Sequence, residues 1–248
     1  MDNYSKKIVI NKDEVHIWSV KLDVPDGQAK MWQLYLSRDE LQRAQQFLFD
    51  KDRNHFIVAR AVLRKILSHY IEKQPYEIRF NYNKYGKPFL PHEFGGERFR
   101  FNLSHSHGIC MYAISLNREV GIDIEYIRED FSDLEIAQRF FSPDEVKALQ
   151  SLPVADQIRA FFLCWTRKEA FIKAKGGGLS VPLGQFDVSL IPDQPAKLLK
   201  TKYDRNEVSR WTLFNIDLFA GYTAALAVEG QNLQIKYRNS KDSLGTQL

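Results

Sequence analysis

Residues 56–67 read FIVARAVLRKIL and are followed at 75–80 by PYEIRF, while residues 161–172 read FFLCWTRKEAFI and are followed at 185–190 by QFDVSL. In the first stretch Phe56, Val58, Ala59, Val62, Leu63, Ile66, Leu67 and Tyr70 recur at helical spacing, with Arg60, Arg64 and Lys65 on other faces. The second repeats the outline: a long amphipathic helix, a loop, then a strand-like alternation. Two such units in tandem predict an α+β protein of two similar halves, each a mainly antiparallel sheet packed with a long helix and related by a pseudo-two-fold. No Pro/Gly-rich or low-complexity linker intervenes, so the join falls near LNRE at 116–119. That gives an N-terminal half over 1–118, a C-terminal half over 119–238 and a polar tail over 239–248 expected to be disordered.

Working outward, IVI at 8–10 and VHIWSV at 15–20 read as short strands, and Ser37-Arg38-Asp39-Glu40 is a capping box that opens a helix. Pro75 ends the first long helix, EIRFNYN alternates like a strand, and KYGKPFLP is rich in turn residues. FRFNLSHSHGICMYAISL (99–116) reads as strand, polar interruption, strand, with VGIDIEYI (120–127) as a further strand. A helix beginning at Asp133 breaks at Phe141 and restarts at Ser142-Pro143-Asp144-Glu145, a capping box with proline at the first helical position. The second long helix spans about 156–175 and stops at Gly176-Gly177-Gly178, and FDVSL, RWTLFNID and YTAALAVE complete an antiparallel set. Because the three glycines follow a helix, they read as its C-terminal cap and not as a phosphate-cradling loop.

The 248 residues are 44% apolar, 27% charged and 13% aromatic, with 35 basic against 31 acidic side chains and a formal charge of +4. This is ordinary globular composition with a mild basic excess, which suits an anionic substrate or an acidic partner. A nucleic-acid binder is disfavoured, since no long Lys/Arg run with interleaved aromatics occurs. Cys110 and Cys164 belong to no Cys-x-x-Cys pair, so a thiolate metal site and a disulfide framework are both disfavoured. Neither a signal-like segment nor a membrane-spanning run is evident, and the expectation is a cytoplasmic protein acting away from membranes.

In Gly121-Ile122-Asp123-Ile124-Glu125, alternation puts Asp123 and Glu125 on one face of a strand and the two isoleucines on the other. Two adjacent carboxylates repel unless a cation lies between them, and an all-oxygen set favours Mg²⁺ or Mn²⁺ over zinc. Taken alone, an Asp-x-Glu is more often the solvent face of a strand. On the second long helix Trp165, Glu169 and Lys173 follow one another at i, i+4, so an aromatic ring, a third carboxylate and an ammonium share a stripe. The competing reading of that stripe is a surface Glu-Lys pair beside a core tryptophan. Asn102-Leu103-Ser104-His105-Ser106-His107 carries more hydrogen-bonding groups than a strand needs. With no third soft ligand nearby, its histidines suit a phosphate better than zinc. Gly86-Lys87-Pro88 offers a fixed turn presenting one more cation.

GKP, NLSHS, GIDIE and WTRKEAFIK, in that order, resemble the signature set of the 4′-phosphopantetheinyl transferases, of the larger surfactin-synthetase-activating type with two tandem halves. The resemblance spans about residues 47–190. It implies transfer of 4′-phosphopantetheine from coenzyme A to a serine of an acyl or peptidyl carrier protein, with release of 3′,5′-ADP. It also implies Mg²⁺ held by Asp123, Glu125 and Glu169 against the diphosphate of coenzyme A, with water where Ile124 cannot ligate. By the same resemblance Ser104 and His105 contact phosphates, Gly86, Lys87 and Pro88 border the nucleotide, and Lys168 and Lys173 lie along the phosphate chain. Trp165 supports the helix. Where relatives carry an arginine cluster before the first long helix, DRNHF offers Arg53 and His55 for a phosphate of the adenosine end.

Glu169 is the candidate base for the serine proton, and Lys173 the group that stabilises the leaving phosphate. A carboxylate that ligates a cation is a weaker base, so the two roles of Glu169 compete. The segment from Phe131 to Phe141, with Arg128 before it and Arg139 within it, is either a docking surface for an acidic carrier or core through Leu134, Ile136, Phe140 and Phe141. Two fused halves make a monomer the simplest expectation. The alternatives are another Mg²⁺-dependent phosphoryl-transfer enzyme, such as a nuclease or pyrophosphatase, and a basic binding module.

Overall fold

The computed structural model describes residues 7–25, 27–128, 134–178 and 181–239. In chain order the elements are β1 (Glu14–Lys21), α1 (Gln28–Trp32), α2 (Arg38–Ala44), α3 (Asp50–Ile71), β2 (Asn81–Tyr82), β3 (Pro88–Phe89), β4 (Phe99–Ser106), β5 (Ile109–Leu116) and β6 (Val120–Tyr126). They continue as α4 (Leu134–Phe140), α5 (Pro143–Gln150), α6 (Val154–Lys175), β7 (Phe186–Val188), β8 (Leu198–Thr201), α7 (Glu207–Arg210), β9 (Trp211–Asn215), β10 (Tyr222–Glu229) and β11 (Gln234–Asn239). One sheet has the order β11-β1-β5-β4 and a second the order β6-β10-β9, antiparallel throughout except that β11 runs parallel to β1.

Strand periodicity sorts the side chains into layers. On β5, Cys110, Tyr112 and Ile114 face α3, while Ile109, Met111 and Ala113 face the second sheet. On β10, Ala225 and Ala227 face α6, while Ala224, Leu226 and Val228 face the first sheet. The result is helix, sheet, sheet, helix, with an apolar seam between the sheets built from Val15, Ile17, Ile122, Ile124 and their neighbours. Leu63, Ile66 and Leu67 of α3 are wholly buried, and each such side chain contributes roughly 1.5–3 kcal/mol. This is the α+β arrangement of two sheet-and-helix halves that the sequence predicts.

The two halves share a device. Glu40, third residue of α2 and the glutamate of its capping box, accepts from Arg60 (2.9 Å) and Arg64 (2.7 Å) of α3, and Arg64 also donates to the carbonyls of Pro75 (3.0 Å) and Ile78 (2.7 Å). In the second half Glu145, third residue of α5 and the glutamate of its capping box, pairs with Lys168 of α6 at 2.7 Å, and Lys168 donates to the carbonyls of Leu183 (2.8 Å) and Phe186 (2.6 Å). Each long helix is thereby tied to the short helix before it and to the 3₁₀ turn after it.

Several sequence expectations need adjustment. Residues 8–10 form no strand, because the Ile8 amide bonds the carbonyl of His69 at the end of α3 (3.0 Å). EIRF is largely irregular, since the Arg64 guanidinium takes carbonyls that a ladder would otherwise use, and only Asn81–Tyr82 pairs with Pro88–Phe89. The polar stretch NLSHS does not interrupt a strand; it lies inside β4, and the turn is His107-Gly108, both with positive φ. The strands β3, β8 and β11 are additional. Asp133 and residues 240–248 of the expected tail lie outside the described residues, while Asn239 closes β11.

Candidate active site

On β6, Val120, Ile122 and Ile124 enter the seam, which leaves Gly121, Asp123 and Glu125 facing α6. Gly121 decides how close that helix comes. A Cβ built there would stand 2.1 Å from the Ala170 carbonyl oxygen and 2.3 Å from the Ala174 amide nitrogen, so only glycine lets α6 lie directly on the strand. The same turns of α6 then carry Glu169 and Lys173, each one residue before the alanine that meets Gly121, to the side of Asp123.

Asp123 is 2% exposed. Its Oδ1 accepts from the Lys173 ammonium at 2.5 Å and from the Ser104 hydroxyl at 2.8 Å, and Lys173 also donates to Ser104 Oγ at 2.8 Å. Lys173 therefore pairs with Asp123 and not with Glu169, its helical neighbour, which overturns the simple surface-pair reading. Among the described residues Glu169 makes no hydrogen bond or ion pair. Glu125 Oε2 accepts from Ser106 Oγ at 2.9 Å. A cavity of about 530 Å³ gathers Ser104, His105, Asp123, Glu125, Trp165, Glu169 and Lys173. Burial, and after it the Asp123 charge, raise the pKa of both Glu125 and Glu169 above the usual carboxylate value.

Three carboxylates on one wall form a hard-oxygen donor set. The other oxygen of Asp123, Oδ2, is buried with no hydrogen-bond partner, a costly arrangement in a protein interior unless an ion or water completes it. This orphaned oxygen fits a divalent cation. As they stand, however, no three acidic, imidazole or thiol groups among the described residues converge into a ready-made cage. Lys173 supplies the countercharge to Asp123 in their place.

Other predicted residues lie elsewhere. Lys168 is fully buried, with its ammonium on Glu145, Leu183 and Phe186. One residue before Glu169 on a helix points about 100° away, so the Lys168 ammonium sits inside the fold and does not line the acidic cavity. Lys87 does not present a free cation either. Its ammonium donates to the carbonyls of Lys173 (2.7 Å) and Ala174 (3.3 Å), with Glu119 at 3.6 Å, and burial lowers its pKa. With Asn83, whose amide donates to the Gly176 carbonyl at 2.7 Å, it closes the C-terminal end of α6. Gly86 forms the turn at φ 82 and Pro88 pairs with Tyr82; Lys87 and Pro88 line a separate cavity of about 450 Å³ with Arg100 and Lys175. Arg53 bonds Asp50 (2.5 Å) and the Phe47 carbonyl (3.2 Å), while His55 bonds Asp23 (2.8 Å) and lies within electrostatic reach of His105.

Trp165 stacks on Phe161 (6.0 Å between centroids) and meets Phe140 edge-on. In the expected docking segment, Phe141 is buried, and Ile136 and Phe140 are half-buried against the core around α6. Phe141 is thus core, whereas Ile136 and Phe140 keep part of their apolar surface open, with Arg139 lying over Phe140. Residues 131–133 and the Leu134 side chain lie outside the described residues. Sequence reasoning missed Asn102, Ser106 and Gly121. Asn102 Oδ1 accepts from the Ile122 amide at 2.9 Å; the spacing Asn102, Ser104, Ser106 already signalled one polar strand face.

Two family models match the chain: one described as the 4′-phosphopantetheinyl transferase superfamily over residues 119–227, the other as 4′-phosphopantetheinyl transferase, N-terminal, over residues 26–116. The chain is 38% identical over 231 residues to the 4′-phosphopantetheinyl transferase HetI of Nostoc sp., covering 93% of this chain and 94% of that one. It is 34% identical to the 4′-phosphopantetheinyl transferase gsp of Aneurinibacillus migulanus, covering 75% and 73%. With Sfp of Bacillus subtilis it shares 31% identity, covering 71% and 77%. Among solved structures, a Chronobacterium ammoniagenes ACPS-CoA complex aligns with a TM-score of 0.33 and 21% identity, over 46% of this chain and 98% of that one.

Proposed function

This chain belongs to the 4′-phosphopantetheinyl transferase superfamily, and from that membership we propose that it moves the phosphopantetheine arm of coenzyme A onto a carrier-protein serine at the acidic cavity between β6 and α6. The carrier is an acyl or peptidyl carrier protein. The observation that carries the placement is the convergence of Asp123, Glu125, Glu169 and Lys173 on one cavity, with a buried Asp123 oxygen lacking any partner. Asp123, Glu125 and Glu169 would hold Mg²⁺, which when bound neutralises the diphosphate and the charge that builds on its oxygens.

In the reaction the serine oxygen bonds to the β-phosphorus, the bridging P–O bond breaks, 3′,5′-ADP leaves, and the serine proton passes to a base. Glu169 is the carboxylate placed for that role, with no hydrogen bond among the described residues and a proton affinity raised by burial; holding the cation would weaken it as a base, so it would take the proton on an oxygen that the cation leaves free. Lys173 pairs with Asp123 through a 2.5 Å contact and offers its ammonium to the leaving phosphate. Ser104 and His105 line the wall where phosphate oxygens would rest. All of these side chains come from one chain, which supports a monomer as the working unit. No helix among the described residues is long and apolar enough to cross a membrane.

Incubation with coenzyme A, Mg²⁺ and an apo carrier, read by mass spectrometry of the carrier, tests the proposal. The wild type should add one phosphopantetheine. Glu169→Gln should fold normally yet lose on the order of 10²–10⁴-fold in rate, the usual worth of a general base. Near-normal holo-carrier formation by that variant would remove Glu169 from the chemistry.

A further inference from the structure

β4 and β6 are edge strands of different sheets. They are joined along the site by side chains, not by a backbone ladder. Asn102, Ser104 and Ser106 alternate along one face of β4, and each reaches across to β6. Asn102 Oδ1 accepts from the Ile122 amide at 2.9 Å, and the Ser104 hydroxyl donates to Asp123 at 2.8 Å. Ser106 makes two contacts: its hydroxyl donates to Glu125 Oε2 at 2.9 Å, and its oxygen accepts from the Tyr126 amide at 3.2 Å. Those two bonds use the hydroxyl's donor and one acceptor, which fixes its rotor and therefore the Glu125 oxygen it addresses.

We propose that Ser106 is a positioning residue for the acidic site, holding the Glu125 carboxylate and the β6 backbone in one setting relative to Asp123. The inference rests on the reading of Glu125 as a ligand to a divalent cation. Glu125 hangs near the end of β6, where the strand leaves the seam for the exposed Tyr126, and Ser106 is its one hydrogen-bond partner among the described residues. A carboxylate on a strand end explores several rotamers. Restricting it in advance to the one that faces Asp123 lowers the entropy lost when a cation is captured. Bonds of this kind to ligating groups typically change metal affinity 10–100-fold when removed. Ser106 is nearly buried, so a threonine, which keeps the hydroxyl, is the informative conservative partner to alanine.

The experiment is Mn²⁺ binding to the full chain, followed by electron paramagnetic resonance in the presence of coenzyme A. It is made on the wild type, Ser106→Ala, Ser106→Thr and Glu125→Gln, with thermal unfolding of each. The expected result is a roughly 10-fold or greater weakening of Mn²⁺ binding in Ser106→Ala, recovery in Ser106→Thr, and a larger loss in Glu125→Gln. The transfer rate of Ser106→Ala should return towards wild type at high Mg²⁺ while the KM for coenzyme A changes little. If Glu125→Gln weakens Mn²⁺ binding but Ser106→Ala does not, the positioning role is refuted while the cation site stands. If Glu125→Gln leaves Mn²⁺ binding unchanged, the ligand assignment fails and takes the role of Ser106 with it. Equal loss in Ser106→Ala and Ser106→Thr, tracking a fall in melting temperature, would make Ser106 a packing residue only.

Discussion

Replacing Gly121 with alanine would place a methyl group where α6 already lies. The added carbon meets Ala170 O at 2.1 Å, Ala174 N at 2.3 Å and Ala174 Cα at 2.9 Å, all within one helical turn. Ordinary carbon contacts need about 3.5 Å, so the helix must retreat by on the order of 1 Å or the strand must buckle. Neither is easy: β6 is hydrogen-bonded along its length to β10 and tied by Asn102 to β4, while α6 is anchored at this same C-terminal end by Lys87 and Asn83. Overpacking a close-packed interior costs typically about 1–3 kcal/mol. The catalytic penalty should be larger in proportion, because Glu169 and Lys173 ride on the displaced turns while Asp123 and Glu125 stay on the strand. A misplacement of about 1 Å can cost on the order of 10²-fold in rate. Urea unfolding should show the loss of stability, and kcat for holo-carrier formation under conditions where the variant is folded should show the loss of geometry. A Gly121→Ala protein with wild-type kcat and an unchanged unfolding midpoint would refute the idea that this close approach assembles the site.

Lys87→Met keeps the apolar stem but removes the ammonium from the carbonyls of Lys173 and Ala174. It should lower stability by about 1.5–3 kcal/mol, the usual worth of hydrogen bonds from a charged donor, and lower kcat through Lys173, with little change in the KM for coenzyme A. A tenfold rise in that KM at unchanged stability would restore the phosphate contact that the sequence suggests. His16 supplies a pH test. It is fully buried between Tyr70 (2.8 Å) and Glu14 (3.4 Å), and burial lowers its pKa from 6.5 to about 4. The unfolded chain therefore binds a proton that the folded chain refuses, and stability should fall as pH drops from 6.5 towards 4, by about 3 kcal/mol in all at 1.36 kcal/mol per unit. Glu125 and Glu169, whose values are raised, act in the opposite sense, so the comparison of wild type with His16→Gln isolates the effect. Parallel pH profiles of the two proteins in urea unfolding would count against it.

Much of the site was legible because strand and helix periods are local properties. Asp123 and Glu125 share a face by alternation, Trp165, Glu169 and Lys173 share one by helical spacing, and the structure brings both sets to one cavity. What local pattern did not reveal was the surroundings of the cations. Lys87, Lys168 and Lys173 all lie within or beside motifs that read as phosphate-binding, yet only Lys173 borders the acidic cavity. Which lysine is free depends on carbonyls and carboxylates brought in from distant elements, and no local pattern encodes that. The strand β11 escaped notice for the same reason: its partner β1 lies more than two hundred residues away in sequence, and the register Glu14 to Gln234 is set by tertiary contact.

The internal echo explains the fate of Lys168 better than the motif does. Arg64 on α3 and Lys168 on α6 do the same work, each binding the capping-box glutamate of the preceding helix and two carbonyls three residues apart at the following 3₁₀ turn. A buried cation with that many partners is held by the fold, and losing one partner of such a pair costs about 3–5 kcal/mol. Because Lys168 is fixed inward, Glu169 is turned about 100° away from it around the helix, towards β6. The same anchoring that makes the second half resemble the first thus sets the rotation of α6 and aims its carboxylate at Asp123. The difference between the halves is what β6 offers in return: a glycine to admit the helix, and two carboxylates beyond it.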